Sequence, residues 1–234
     1  MKHPLQQAEF LTTSAEDAQL PQEGAAEIAF AGRSNAGKSS AINTLANRTR
    51  LAFTSKTPGR TQHINFFQLR SGALLADLPG YGYAAVPQEL KRHWQQFLAR
   101  YVATRQTLVG LVLVIDIRHG VAALDIDLLD TYLPSGRPVL VLATKADKLT
   151  PSAARVAVRE LERTLHETFA IHASRIGVIA FSSLRRIGVE DAEAVLGGWL
   201  GTDTDVPDGA PSDRRTTDSS APAAKKKRPR GQGE

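Results

Sequence analysis

The chain has 234 residues, 42% of them hydrophobic and 23% charged, which is ordinary globular composition and enough length for one sizeable core. It contains no cysteine, so disulfides, thiolate zinc sites and cysteine nucleophiles are excluded. Its net charge is +5, and Ile28 to Ala76 carries seven basic residues and no acidic one, a stretch suited to meeting phosphate on a nucleotide or on RNA.

The opening MKHPLQQAEF has no apolar core and no small-residue cleavage site, so no signal peptide is expected. The longest strongly apolar run, Leu108 to Ile115, falls short of the roughly 20 residues that a membrane-spanning helix needs. The expected compartment is the cytoplasm, with no membrane partner. Residues 1–24 are polar and expected to be mostly irregular, with a short extended piece near Phe10–Thr13. Strands are predicted at Glu27–Ala31, Ile64–Leu69, Ala73–Asp77, Gly110–Asp116, Pro138–Thr144 and Gly177–Phe181. Several are unbroken Val/Leu/Ile/Ala runs, as parallel strands covered on both faces require. Helices are predicted at Lys38–Ala46, Gln88–Thr104, Ala122–Leu133, Pro151–Thr168 and Val189–Leu200. The fourth carries its own start signal, Thr150 at the cap and Pro151 at the first position. Alternation of strands and helices predicts a three-layer α/β sheet over 25–200.

Composition breaks near Leu200. Val206 is the only large apolar residue that follows, so 201–234 is expected to be disordered, since it has too little apolar surface to offset the entropy of ordering. This tail runs from acidic to basic: four Asp in Gly201–Asp213, then seven basic and two acidic residues in Arg214–Glu234. Its KKKRPR cluster resembles a nuclear address, but basic tails also bind nucleic acid.

Four motifs carry chemistry. Gly32-Arg33-Ser34-Asn35-Ala36-Gly37-Lys38-Ser39 matches GxxxxGK(S/T) between a predicted strand and a predicted helix. Its glycines let backbone N–H groups turn towards phosphate oxygens, and the helix N-terminus adds a favourable dipole. Lys38 is expected to bridge the outer phosphates and act as the catalytic cation, with Ser39 ligating Mg²⁺. Asp77-Leu78-Pro79-Gly80 closes an apolar strand, where an Asp can hold Mg²⁺ through water and the Gly N–H can meet the terminal phosphate. Thr144-Lys145-Ala146-Asp147 follows another apolar strand. Its carboxylate suits the paired donors of guanine, which adenine lacks. Phe181-Ser182-Ser183 ends the last strand, where a backbone N–H can meet the guanine oxygen.

Together GRSNAGKSS, TSKTPGRTQHINFF, DLPGYGYA, TKADK and FSSLRRIG resemble the motifs of the bacterial EngB (YihA/YsxC) GTPases, in the TrmE–Era–EngA group, over roughly residues 8–200. The resemblance implies a three-layer α/β/α P-loop GTPase fold with a mostly parallel sheet and one antiparallel strand. It implies a monomer that binds GTP and GDP, hydrolyses GTP with Mg²⁺ and acts in assembly of the large ribosomal subunit. The rRNA and ribosomal proteins of the subunit precursor are then its partners, and normal cell division and septation need it. By motif, Gly32–Ser39 hold phosphates, and Gly59, Arg60, Thr61, Gln62 and His63 form the first switch, with Thr61 on Mg²⁺. Asp77–Gly80 sense the γ-phosphate, Thr144–Asp147 read guanine, and Phe181–Ser183 close the base pocket. His63 departs from the pattern, an apolar residue being commoner there. Asn35 matches an asparagine that in some related GTPases ligates K⁺.

Some residues admit two readings. Tyr81 follows DLPG where many GTPases place a water-orienting glutamine, so intrinsic hydrolysis is expected to be slow. Tyr81 and Tyr83 either pack their rings or face RNA or protein. Trp94 and Phe97, three apart on a helix, read as core rather than as an RNA platform. The six histidines share no ligand spacing, which argues against a zinc site. A rival to the GTPase reading is a nucleotide-gated module that binds rRNA or ribosomal protein with negligible hydrolysis. A P-loop kinase or ATPase is disfavoured by TKAD.

Overall fold

The computed structural model describes residue 5 and residues 7–22, 24–53, 63–82 and 88–201, with the side chains of 88–95 left aside. Gly59, Arg60, Thr61 and Gln62 of the first switch, Tyr83, the Trp94 side chain and the tail from 202 lie outside the described residues. All elements below belong to the unit Met1–Asp203.

Strands β1 (Glu9–Ser14), β2 (Glu27–Gly32), β3 (Ile64–Gln68), β4 (Leu74–Asp77), β5 (Leu108–Asp116), β6 (Val139–Thr144) and β7 (Ile176–Ala180) form one sheet in the order β1-β3-β4-β2-β5-β6-β7. Only β3 runs against the others: it pairs antiparallel with both β1 and β4, and every other pairing is parallel. The extended piece expected near Phe10–Thr13 is a full six-residue strand, held by β3 and by an edge-on contact of Phe10 with Phe67. The predicted strand at Gly110–Asp116 begins earlier, at Leu108, and the one at Gly177–Phe181 runs one residue earlier at both ends.

The period-2 alternation of each central strand sorts its side chains onto two cores. Ala29, Ala31, Leu111, Leu113, Val139 and Val141 face one side, against helices α2 (Gln88–Thr104), α3 (Ala123–Tyr132) and α4 (Pro151–Thr168). Ile28, Phe30, Val112, Val114, Leu140 and Leu142 face the other, against α1 (Lys38–Leu45) and α5 (Val189–Trp199). Each such side chain removed from water contributes roughly 1.5–3 kcal/mol, which is why both faces must be covered. Phe97 lies in the first core at 1% exposure, as its helical spacing predicts. Thr150 caps α4 as expected, its side chain accepting the Ala153 N–H.

Two close fits fix how helices sit on the sheet. A Cβ on Gly110 would lie 2.2 Å from the Trp199 ring, so α5 rests directly on β5 at that point. At the N-terminal end of the sheet the wholly buried Glu27 accepts hydrogen bonds from Arg105 Nε at 3.0 Å and from the Tyr101 hydroxyl at 3.0 Å. This ties the end of α2 to β2. Breaking such a buried pair by removing one partner typically costs about 3–5 kcal/mol.

Candidate nucleotide site

The motif residues gather where parallel strands of an open α/β sheet end, at their carboxyl edge. The phosphate loop leaves the central strand β2. A Cβ on Gly32 would come within 2.5 Å of the Val114 carbonyl, so only glycine lets the chain pass β5 there. Asn35 and Gly37 adopt left-handed backbone, with φ of 62° and 98°. Gly37 is the N-cap of α1, so Lys38 and Ser39 open the helix with their N–H groups unspent on the ladder.

Lys38 Nζ reaches across to the carboxylate of Asp77 at the end of β4. The start of the DLPG segment is zipped to this loop: the Leu78 N–H donates to the Phe30 carbonyl at 2.9 Å, and the Ser34 N–H to the Tyr81 carbonyl at 3.0 Å. Leu78 and Pro79 are buried, and a Cβ on Gly80 would stand 3.4 Å from Ser34. Ser39 Oγ makes only a long 3.4 Å contact with the Phe53 carbonyl, and the Ser34 hydroxyl is buried with no partner among the described residues. A hydroxyl buried without a partner costs about 1–3 kcal/mol. The Ser34 hydroxyl is therefore placed to gain from a polar partner in the loop.

The TKAD segment does two jobs at once. The Thr144 hydroxyl bonds the Ala36 carbonyl at 2.5 Å, and Lys145 Nζ donates to the Asn35 carbonyl at 2.7 Å. Its first half therefore grips the phosphate loop. Its second half faces the FSS segment: the Ala146 N–H donates to the Phe181 carbonyl at 3.1 Å, and the Ser182 hydroxyl donates to Asp147 Oδ1 at 2.7 Å. That hydrogen bond lowers the Asp147 pKa and keeps the carboxylate charged. Phe181 and Ser182 are buried, and Ser183 is half-buried beside them. His63 is exposed immediately before β3.

Four residues that motif reading passed over complete the surroundings. Asn43 of α1 accepts the Leu51 and Ala52 N–H groups at 3.0 and 2.7 Å and donates to the Ala52 carbonyl at 2.9 Å, fixing the chain as it enters the first switch. Asp125, at the start of α3, accepts from the Tyr81 hydroxyl at 2.5 Å. Burial raises the Tyr81 pKa, and Asp125 adds to the rise, so the phenol remains a donor. Tyr81 packs against the core, in line with the first of its two readings. Asp116 ends β5 and pairs with Arg118 two residues on, Arg118 Nη2 lying 2.7 Å from Asp116 Oδ2. No local signal marks that pair, since Asp-Ile-Arg after an apolar run also reads as a solvated loop. A cavity of about 450 Å³ opens beside the loop, lined by Arg33, Asn35, Asp116, Arg118, Asp125 and Lys145 among others. Among the described residues no group of three or more His, Asp or Glu is set to hold a metal by itself.

A glycine-bearing loop that opens a helix on the central strand, an Asp-Gly turn docked to it and a carboxylate in the neighbouring loop form the arrangement that the P-loop GTPase class uses. Residues 27–145 match the family model described as 50S ribosome-binding GTPase. Proteins named "Probable GTP-binding protein EngB" from Azoarcus sp. (strain BH72) and Nitrosomonas europaea are each 52% identical to this chain. The matches cover 82% and 86% of this chain and 91% and 90% of theirs. A solved "probable GTP-binding protein engB" shares the fold with a TM-score of 0.59 at 23% identity, over 75% of this chain and 99% of that one. Era bound to MgGDPNP and a segment of 16S ribosomal RNA shares it with a TM-score of 0.57 at 20% identity, over 81% of this chain and 59% of that one. The chain belongs to the EngB family of GTP-binding proteins, and it is a GTPase. The fold expected from the sequence, a mostly parallel sheet with one antiparallel strand between helical layers, is the one observed. No helix among the described residues is long and apolar enough to cross a membrane.

Proposed function

We propose that this chain is a slow, Mg²⁺-dependent GTP/GDP switch that acts in assembly of the large ribosomal subunit and thereby supports normal cell division and septation. It works in the cytoplasm as a monomer, with residues 25–200 as its GTPase domain and 1–24 and 201–234 as extensions. The observation that carries the nucleotide part is the convergence of three side-chain pairs on one sheet edge: Lys38 with Asp77, Lys145 with the Asn35 carbonyl, and Ser182 with Asp147. The ribosomal part is supported by the description of the matching family model and by the acid-free basic stretch Ile28–Ala76.

On this reading, residues 32–39 wrap the phosphates, and Lys38 exchanges its carboxylate partner for the β- and γ-phosphate oxygens. Asp147 accepts the two guanine donors, with Ser182 holding it in line and Ser183 closing the pocket over Phe181. Ser39 and Thr61 would hold Mg²⁺, which supplies positive charge to the β/γ oxygens. The Ser39 hydroxyl, which makes a long 3.4 Å contact with the Phe53 carbonyl, fits that ligand role. Hydrolysis proceeds by attack of water on the γ-phosphoryl group, with Lys38 stabilising the charge that develops. It is slow because Tyr81 offers no amide to orient that water and its hydroxyl is committed to Asp125.

The Tyr81 tie also favours the rival reading, a nucleotide-gated binding module with negligible turnover. Single-turnover GTP cleavage with and without ribosomal particles separates the two: measurable cleavage, accelerated by particles, is expected. Co-sedimentation with 50S precursors in GTP against GDP tests the partner. Equal pelleting in both nucleotides would remove the switch.

A further inference from the structure

The geometry points to Asp116 as the positioning residue that locks Lys145, and through it the guanine-reading loop, onto the phosphate loop. This rests on the reading of Thr144–Asp147 given above. Asp116 closes β5 directly opposite Thr144 in the β5–β6 register, and it is buried. Lys145 Nζ lies 2.9 Å from its Oδ2 and 2.7 Å from the Asn35 carbonyl, so one ammonium spans two loops. Arg118 holds the same carboxylate: its Nε at 2.9 Å and backbone N–H at 3.1 Å donate to Oδ1, and its Nη2 at 2.7 Å shares Oδ2 with Lys145. His119 Nε2 stands farther off at 3.8 Å.

Two features show why the chain needs such an anchor. Lys145 and Asn35 both sit in left-handed backbone, with φ of 59° and 62°. A non-glycine residue keeps that conformation where surrounding contacts hold it there. The Lys145 side chain is one-third exposed, so a hydrogen bond to a carbonyl alone would compete with water. A buried, ionised carboxylate changes that balance, because charge-assisted bonds are about twice as strong as neutral ones. Burial raises the Asp116 pKa, yet the bonds from Arg118 and Lys145 outweigh it and leave the carboxyl well below its ordinary range. Asp116 thus sets how long a nucleotide stays bound through Lys145, without being placed to read the base itself.

The test is GDP release from the full chain, followed with a fluorescent GDP analogue in Mg²⁺. Asp116→Asn is expected to speed release about tenfold and Lys145→Ala by at least as much. The double variant should release no faster than Lys145→Ala alone. Should Asp116→Asn fold poorly, Arg118→Ala, at a half-exposed side chain, gives a smaller acceleration that vanishes in the Lys145→Ala background. A purely structural role for Asp116 or Arg118 would instead add in full to Lys145→Ala, and that result, or unchanged release in Asp116→Asn, overturns the inference. Asp147→Asn serves as the control. If it too leaves guanine binding intact, the base-reading assignment itself has failed; if it alone weakens binding, only the Asp116 lock has failed.

Discussion

The hydroxyl of Tyr81, the first residue after DLPG, donates a 2.5 Å hydrogen bond to Oδ1 of Asp125 at the start of α3, whose Oδ2 accepts the Ala122 N–H at 2.8 Å. The residue that follows DLPG is thereby moored to the start of α3. Tyr81→Phe leaves a buried carboxylate one donor short, so a loss of roughly 1–3 kcal/mol in unfolding free energy is expected by urea titration. A stability equal to that of the parent would show that the bond contributes nothing.

The same pair predicts a pH effect. Burial raises the Asp125 pKa, which the Tyr81 bond only partly offsets. A raised carboxyl pKa contributes stability that is full below the ordinary value of about 4 and is lost as pH rises through the folded-state value. The parent should therefore lose more stability than Asp125→Asn between about pH 4 and pH 7. Parallel stability curves for the two would contradict the burial account.

Base reading is tested at Asp147. If Asp147 reads guanine as proposed, Asp147→Asn removes the acceptor for the guanine donors and should weaken GTP about 10- to 100-fold while improving xanthosine triphosphate. Calorimetric titration with both nucleotides checks this. An unaltered guanine preference would mean that another group selects the base.

The metal ligands divide by nucleotide state. If Ser39 and Thr61 hold the metal as proposed, Ser39→Ala ought to weaken GDP and GTP alike in Mg²⁺, whereas Thr61→Ala should weaken mainly GTP, the proposed role of Thr61 being tied to the γ-phosphate state. Equal losses for both nucleotides at Thr61 would deny it the switch role.

Monovalent ions give a further check. If Asn35 ligates K⁺, as the family resemblance implies, its side-chain amide is the group to do so, since its carbonyl is already held by Lys145. Turnover is expected to be faster in KCl than in NaCl, and Asn35→Ala should erase the difference. Identical rates in the two salts would discard the cation.

Much of the site was legible in the sequence because its parts are local. Backbone N–H groups around a phosphate need glycine at fixed spacing, so Gly32–Ser39 declares itself within eight residues, with the strand before it and the helix after it. The period-2 runs of β2, β5 and β6 likewise announce buried strands, since each must satisfy two cores at once. The order of the strands and the tying of one loop to another are different in kind. Lys38 and Asp77 are 39 positions apart, Lys145 and Asn35 are 110 apart, and Tyr81 and Asp125 are 44 apart. Nothing in the local pattern of Asp116-Ile117-Arg118 distinguishes a clamp on Lys145 from a solvated loop. Only the parallel register of β5 with β6 sets Asp116 against Thr144, and so brings its carboxylate within reach of the next residue's ammonium. Residue types and spacing determined what chemistry each segment can perform. Packing the two cores onto one twisted sheet decided which segments meet, because burial constrains whole strands and only then places the charges at their ends.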